Sequence, residues 1–339
     1  MRQTERVAAN LNRALARLLD EDPSVHLLGE DVVDPYGGAF KVTRGLSTRH
    51  PGRVLGTPIS EGAIAGVGGG LALAGETAIV EMMFSDFVTL AFDQIVNFAS
   101  KSVTMYGRRV PMRLVVRCPT GGNRQYGPTH SQSLQKHFVG VPGLGLYELS
   151  PFHDSHALLH RILASGQPAL LFEDKALYAQ RTHRDGVVDD LFGFELVGAG
   201  DPVARVFVDA SEDPDCVVIA PGGVCGRALE AARDLLLEDE IACQVLVPSR
   251  LHPFDVEPLL AHLARVRLVC IAEESTAGGT WGAGVAHDLH RRLWGRLRAP
   301  VQLLHSADSV IPAAGHLERS VLLQPAGIRL AIKEALHGV

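Results

Sequence analysis

Short apolar runs bounded by turn residues alternate with longer stretches of helical periodicity, and the chain does this twice. In the first series "VHLLGEDV", "TAIVEMMF", "PMRLVVRCP" and "PALLFED" read as buried strands, and "GAIAGVGGGLALAG", "LAFDQIVNFASKSVTMYG" and "SHALLHRILASG" read as helices. Strands separated by helical crossovers pair in parallel, with helices on both sheet faces. The second series has "DCVVIAPGG", "IACQVLVPS" and "RLVCIAEES" as strands, with "RALEAARDLLLED", "VEPLLAHLARV" and "GAGVAHDLHRRLWG" as helices. At 339 residues the chain exceeds one compact core. The expected architecture is α/β, with two parallel-sheet domains: 1–192, a connector over 193–215 carrying one strand, and a smaller domain over 216–339.

The opening "MRQTERVAANLNRALARLLDEDPS" has apolar residues Val7, Leu11, Leu15, Leu18 and Leu19 at helical spacing, which predicts an amphipathic helix of the fold and not a targeting signal. A net charge of −6 without a long basic run gives no electrostatic reason to expect nucleic acid. No apolar run reaches the roughly 20 residues of a membrane span, so no membrane partner is expected. The five cysteines, Cys118, Cys216, Cys225, Cys243 and Cys270, form no CxxC pair and read as reduced, buried thiols of a cytoplasmic protein.

Several residues invite a chemical reading. "GVGGGLALAG" lacks the GxGxxG setting of a dinucleotide loop, so its glycines are read as close-packing positions. His287 and His290 stand three apart, yet without a third ligand they read as a surface pair; no metal ligands are expected in this chain. "TPISEGAIAG" sets Glu61 ahead of a small-residue helix, where a carboxylate ordinarily complements the macrodipole. "EMMFSDF" supplies Met83 and Phe87, which read on pattern alone as core. "GPTHSQS" holds His130 in a loop, where catalytic and surface roles are both open.

The order of the pieces carries more information than any one of them. "GEDV", "GGAFKVTRGL", "TPISEGAIAG", "EMMFSDF", "AFDQIVN", "VVRCPTGG", "GPTHSQS", "PGL" and "FEDKALY" follow one another, and "VVIAPGG", "ALEAARDLL", "LHPFD", "EES" and "GGTWGAGVA" continue the series. Over nearly its whole length the chain resembles the beta subunit of the thiamine diphosphate-dependent, decarboxylating component of 2-oxo acid dehydrogenase complexes, of the pyruvate and branched-chain types. That resemblance implies a pyrimidine-binding domain followed by a transketolase C-terminal-like domain. It implies an alpha subunit as partner in an α2β2 tetramer, thiamine diphosphate as cofactor, and a lipoyl-bearing acyltransferase as recipient of the acyl group. The chain has no GDG followed by a downstream Asn, so the magnesium ion that binds the diphosphate is assigned to the alpha subunit.

Residue by residue, the resemblance gives Glu61 the hydrogen bond to N1′ of the aminopyrimidine, which promotes proton removal from the thiazolium. It puts Phe87 on the pyrimidine ring, with Met83 and Ile59 in the same pocket, and Glu30 as a buried acid between active sites. It gives His130 the orientation of the substrate carboxylate and proton transfer during acyl transfer. A structural potassium ion belongs to the family, but in "ILASGQP" Ser165 stands where an Asp is common. "GGNRQYGPTHSQS" also departs from the usual glycine-rich approach, with Arg124 able either to bind a carboxylate or to cap the surface. Two other readings stand beside this one. One is a carboligase or non-oxidative decarboxylase; the other is a non-catalytic assembly subunit docking through the chain end at Val339.

Overall fold

The computed structural model describes residues 4–210 and 213–337; the end at Val339 lies outside them. The chain forms two compact units. The first is built from the chain up to Thr120 together with Phe138–Thr182, and the second from Gly121–His137 and the chain from His183 onward.

In the first unit α1 (Val7–Glu21) buries Val7, Leu11, Leu15, Leu18 and Leu19. The elements after it are β1 (Val25–Gly29), α2 (Leu46–Arg49), β2 (Val54–Gly56), α3 (Glu61–Leu73), β3 (Thr77–Glu81), α4 (Ser100–Ser102), β4 (Leu114–Thr120), β5 (Gly145–Glu148), α5 (Ser155–Ala164) and β6 (Ala169–Asp174). The strands lie in the order β5-β6-β4-β3-β1-β2, each pair parallel. Every residue of β3, β4, β5 and β6 is buried, and β3, β4 and β6 accordingly read as largely apolar runs. Two strands have no counterpart in the sequence reading: three-residue β2 and the glycine-led β5. The helix expected over "LAFDQIVNFASKSVTMYG" is broken into a 3-10 segment (Ser85–Ala91), a π segment (Gln94–Ala99) and α4. Such mixed helices are short-range adjustments common near functional sites.

The second unit contains β7 (Gly193–Val197), β8 (Val203–Phe207), β9 (Cys216–Ile219), α6 (Val224–Asp239), β10 (Cys243–Pro248), β11 (Arg250–His252), α7 (Leu260–Leu263), β12 (Leu268–Thr276), α8 (Trp281–Arg292), β13 (Gln302–Ser306), α9 (Gly315–Val321) and α10 (Pro325–His337). Its sheet runs β13-β12-β9-β10-β8-β7, parallel except that β8 pairs antiparallel with both β10 and β7. The segment expected to be a connector with one strand is thus largely a hairpin at the sheet edge. Its Gly, Pro and Asp punctuation is the turn chemistry of that hairpin. Cys216 and Cys243 are direct neighbours across β9 and β10, and all five cysteines are buried and free.

Candidate active site

The carboxyl ends of parallel strands are where an open α/β sheet offers a crevice, and β1 and β3 end there at Gly29 and Glu81, side by side. Helix α3 packs on β3 and on the 3-10 segment that holds Phe87. Its glycines make this approach possible: a Cβ at Gly68 would lie 2.5 Å from Val80 Cγ1, and one at Gly69 the same distance from Phe98 Cε1. Glu61 opens the helix and is only 5% exposed. Glu30, directly after β1, is also buried, and its Oε1 makes no hydrogen bond. Burial, then the Glu61 charge, then Asp31 raise the Glu30 carboxyl above its ordinary value. Glu30 therefore senses the Glu61 charge. Thr57 Oγ1 is a second buried oxygen lacking a partner, and the Thr57 amide donates to Gly29 O at 3.0 Å, which ties it to the end of β1.

Met83 and Phe87 are half-buried, not core; the fully buried side chain is their neighbour Met82. Met83 lies past the end of β3, in the bend that leads into the 3-10 segment, where pattern alone suggested a core position. Phe87 meets Phe84 edge-on at 6.5 Å, Phe84 meets Phe40 at 5.7 Å, and Phe40 meets Tyr178 at 5.3 Å, forming one aromatic row. Ile59 is 81% exposed. Ser165 uses its hydroxyl locally, donating to Ile162 O and accepting from Gln167 N.

A group with no counterpart in the sequence reading lies beneath this region. Arg117 in β4 is wholly buried and is held by Glu173 of β6, with Nε to Oε1 at 2.7 Å and Nη2 to Oε2 at 2.8 Å, and by Glu81 of β3. Tyr178 donates to Glu173 Oε2 at 2.6 Å. Burial works against the Arg117 charge, but Glu173 and Glu81 outweigh it and keep the guanidinium protonated. Burial also lifts Glu81 above the usual carboxylate range despite Arg117.

His130 belongs to the second unit. Its amide donates to Gly127 O at 3.4 Å, and Thr129 Oγ1 lies 3.0 Å from Nδ1, within hydrogen-bond reach of that side of the ring. The loop around it is fastened by two buried acids. Glu274 Oε1 accepts from the Gly122 amide at 2.7 Å and from Ser133 Oγ at 3.0 Å, while Oε2 accepts from Arg227 Nη2 at 2.6 Å. Burial opposes ionisation of Glu274, but Arg227 and the Gly122 amide outweigh it and hold the carboxyl below its ordinary value. Glu318 accepts from the amides of Arg124 and Gln125. Arg124 itself reaches Tyr126, with Nη2 3.3 Å from the phenol oxygen. A cleft of about 630 Å³ opens beside the loop, lined by Pro128, Thr129, Ser133, Lys136, Glu274 and Ser306 among others.

Family models match both halves of the chain. The transketolase pyrimidine binding domain covers residues 6–180 and the transketolase C-terminal domain covers 206–328. The pyruvate dehydrogenase E1 component subunit beta-3, chloroplastic, of Oryza sativa subsp. japonica is 32% identical over 327 residues, covering 96% of this chain and 80% of its own length. The chain belongs to this transketolase-like beta-subunit family. Another relative of the family's beta subunits is acetoin:2,6-dichlorophenolindophenol oxidoreductase subunit beta of Cupriavidus necator, 29% identical over 337 residues and covering 97% and 96% of the two chains. Among solved structures, a split gene transketolase described as an inactive beta4 tetramer superposes with a TM-score of 0.71 at 20% identity, covering 98% of each chain. That likeness speaks to fold alone and agrees with two mostly parallel α/β sheets.

Within the beta-subunit frame, Glu30, Ile59, Glu61, Met83 and Phe87 fall in the first unit and His130 in the second. Among the described residues no group of three or more His, Cys, Asp or Glu is placed to hold a metal, and no helix is long and apolar enough to cross a membrane.

Proposed function

We propose that this chain is the beta subunit of a thiamine diphosphate-dependent 2-oxo acid dehydrogenase, working with an alpha subunit in an α2β2 tetramer and passing an acyl group to a lipoyl-bearing acyltransferase. The observation that carries the reading is the buried pair Glu30 and Glu61, with unpartnered oxygens on Glu30 and Thr57 close to hand. Buried polar atoms without partners are rare, and a polar heterocycle satisfies them. The residues therefore fit the aminopyrimidine end of thiamine diphosphate.

When bound, thiamine diphosphate supplies the electron sink that allows a 2-oxo acid to lose carbon dioxide. Glu61 would hold N1′ of its pyrimidine, and the half-buried Phe87 and Met83 would flank the ring, with Ile59 at the rim. Glu30, whose carboxyl is raised by burial and by Glu61, would hold its proton more tightly than an ordinary carboxyl beside that contact. His130, with Thr129 beside its Nδ1, would position the substrate carboxylate and give a proton to the departing dithiolane sulfur as the S–S bond breaks. Magnesium is assigned to the alpha subunit, because this chain has no GDG with a downstream Asn. The five buried thiols suit a reducing compartment, consistent with the cytoplasm.

The near-complete match to the Cupriavidus necator oxidoreductase favours one second reading, in which the same residues serve an acetoin-type substrate. One experiment addresses both. The chain, co-expressed with its alpha partner and loaded with thiamine diphosphate and magnesium, is offered a panel of 2-oxo acids and acetoin with an artificial electron acceptor. Reduction with a 2-oxo acid, lost in Glu61→Gln together with a ~10²- to 10⁴-fold slower C2 proton exchange, is the expected result. Normal exchange in Glu61→Gln would remove that residue from its role, and reduction with acetoin alone would select the second reading.

A further inference from the structure

The loop that carries His130 is closed by the Gly121 amide donating to Gln132 O, and much of its shape is set from outside it. Asn123 and Gln125 both adopt φ of 61°, in the left-handed region, between Gly121 at 86° and Gly127 at 77°. Non-glycine residues there cost on the order of 1 kcal/mol or more each and persist only where surroundings impose them. A backbone of this kind turns successive amides to one side, forming a concavity that accepts an anion. Here the anions are side chains of the second unit.

We infer that Glu274 and Glu318 are positioning residues for His130, setting the backbone of its loop through the amides of Gly122, Arg124 and Gln125. This rests on the role proposed above for His130. Glu274 grips the loop on both sides of the histidine with one oxygen, at Gly122 N and Ser133 Oγ. Glu274 is itself fixed, because Arg227 donates to its second oxygen and, through Nη1, to Leu323 O at 2.7 Å. Glu318, on α9 and 1% exposed, takes the two amides that follow Asn123. Gly122 is pressed against the end of the same helix: a Cβ there would lie 2.3 Å from Leu322 Cδ1, so no side chain fits without movement. Two carboxylates and one close approach thus constrain the path from Gly121 to Ser133. Both act on the histidine through the backbone that presents it.

The test uses the full chain with its alpha partner and compares wild type, Glu318→Ala, His130→Ala and the double variant. In Glu318→Ala, hydrogen exchange at the Arg124 and Gln125 amides is expected to rise about tenfold, the loss of roughly one amide-to-carboxylate hydrogen bond. The kcat for reductive acylation of free lipoamide should fall about tenfold. The KM for lipoamide and C2 proton exchange should stay near wild type, because Glu61 is untouched. Adding Glu318→Ala to His130→Ala should bring no further loss, since the acid works through the histidine. If the alanine variant is insoluble, Glu318→Gln keeps the volume and one acceptor oxygen, and about a threefold effect on the same readouts is expected. Full transfer in the Glu318 variants, with transfer lost in His130→Ala, overturns this inference and leaves the role of His130 standing. A loss that multiplies with that of His130→Ala also overturns it. Undiminished transfer in His130→Ala overturns the role of His130 and takes the inference with it.

Discussion

Two sets of buried acids lie close to the ends of neighbouring strands of the first unit, and they are treated in opposite ways. Glu81 and Glu173 close on Arg117, and Tyr178 donates to Glu173 as well. Glu30 keeps an oxygen without a partner and has another acid as its electrostatic neighbour. The first set is a completed network, whose removal exposes the cost of burying charge. The second is an incomplete one, which a folded chain retains where a ligand supplies what is missing. The difference separates acids that fasten strands from acids held ready for chemistry, although both sets are buried.

Arg117→Met should break the contrast from the structural side. It leaves two carboxylates buried without a cation and is expected to destabilise the chain by about 3–5 kcal/mol, measured by urea unfolding. A loss below about 1 kcal/mol would mean that the network does not fasten β3, β4 and β6. Tyr178→Phe removes one donor from Glu173 and leaves Arg117 in place, so a cost of about 1–2 kcal/mol is expected in the same assay. Glu30→Gln should have the smallest effect and a distinctive pH dependence. A carboxyl raised in the folded state binds its proton more tightly there than in the unfolded chain, so the wild type loses stability as pH rises from its ordinary value near 4.5 through the folded value. The Gln variant lacks that decline. Above the window it should match or exceed the wild type by up to about 1 kcal/mol. A wild-type profile that climbs through this range relative to the variant would show Glu30 to be stabilised as an anion.

The fold was legible where local pattern and tertiary environment agree. The buried strands of both sheets announce themselves as apolar runs, and α1 by the spacing of Leu11, Leu15 and Leu18. Strands β2, β5 and β13 did not, because three to five residues with glycine or polar neighbours carry too little period to distinguish from loop. The hairpin of β7 and β8 was hidden by its own turn residues. In the candidate site, Glu61 and His130 stood out only through the order of surrounding motifs, and Glu30, Met83 and Phe87 likewise. Arg117 was visible as a charge in "LVVRCP", yet its meaning depends on register: Glu81 lies directly opposite it across β3 and β4. Glu318 contacts residues more than 190 positions earlier in the chain, a relation that no local pattern encodes.

The fastening of the Gly121–His137 segment has a consequence for how such chains can be recombined. By position this segment belongs with the first half, but by folding it belongs with the second. A chimera joined near residue 182 would inherit the histidine from one parent and the carboxylates that shape its loop from the other. Every residue of the loop would be kept, while its geometry would depend on whether the second parent supplies acids at the positions of Glu274 and Glu318. Linear crossover points between family members are therefore poor guides to which parts travel together, and exchange of this loop is best made jointly with β12 and α9.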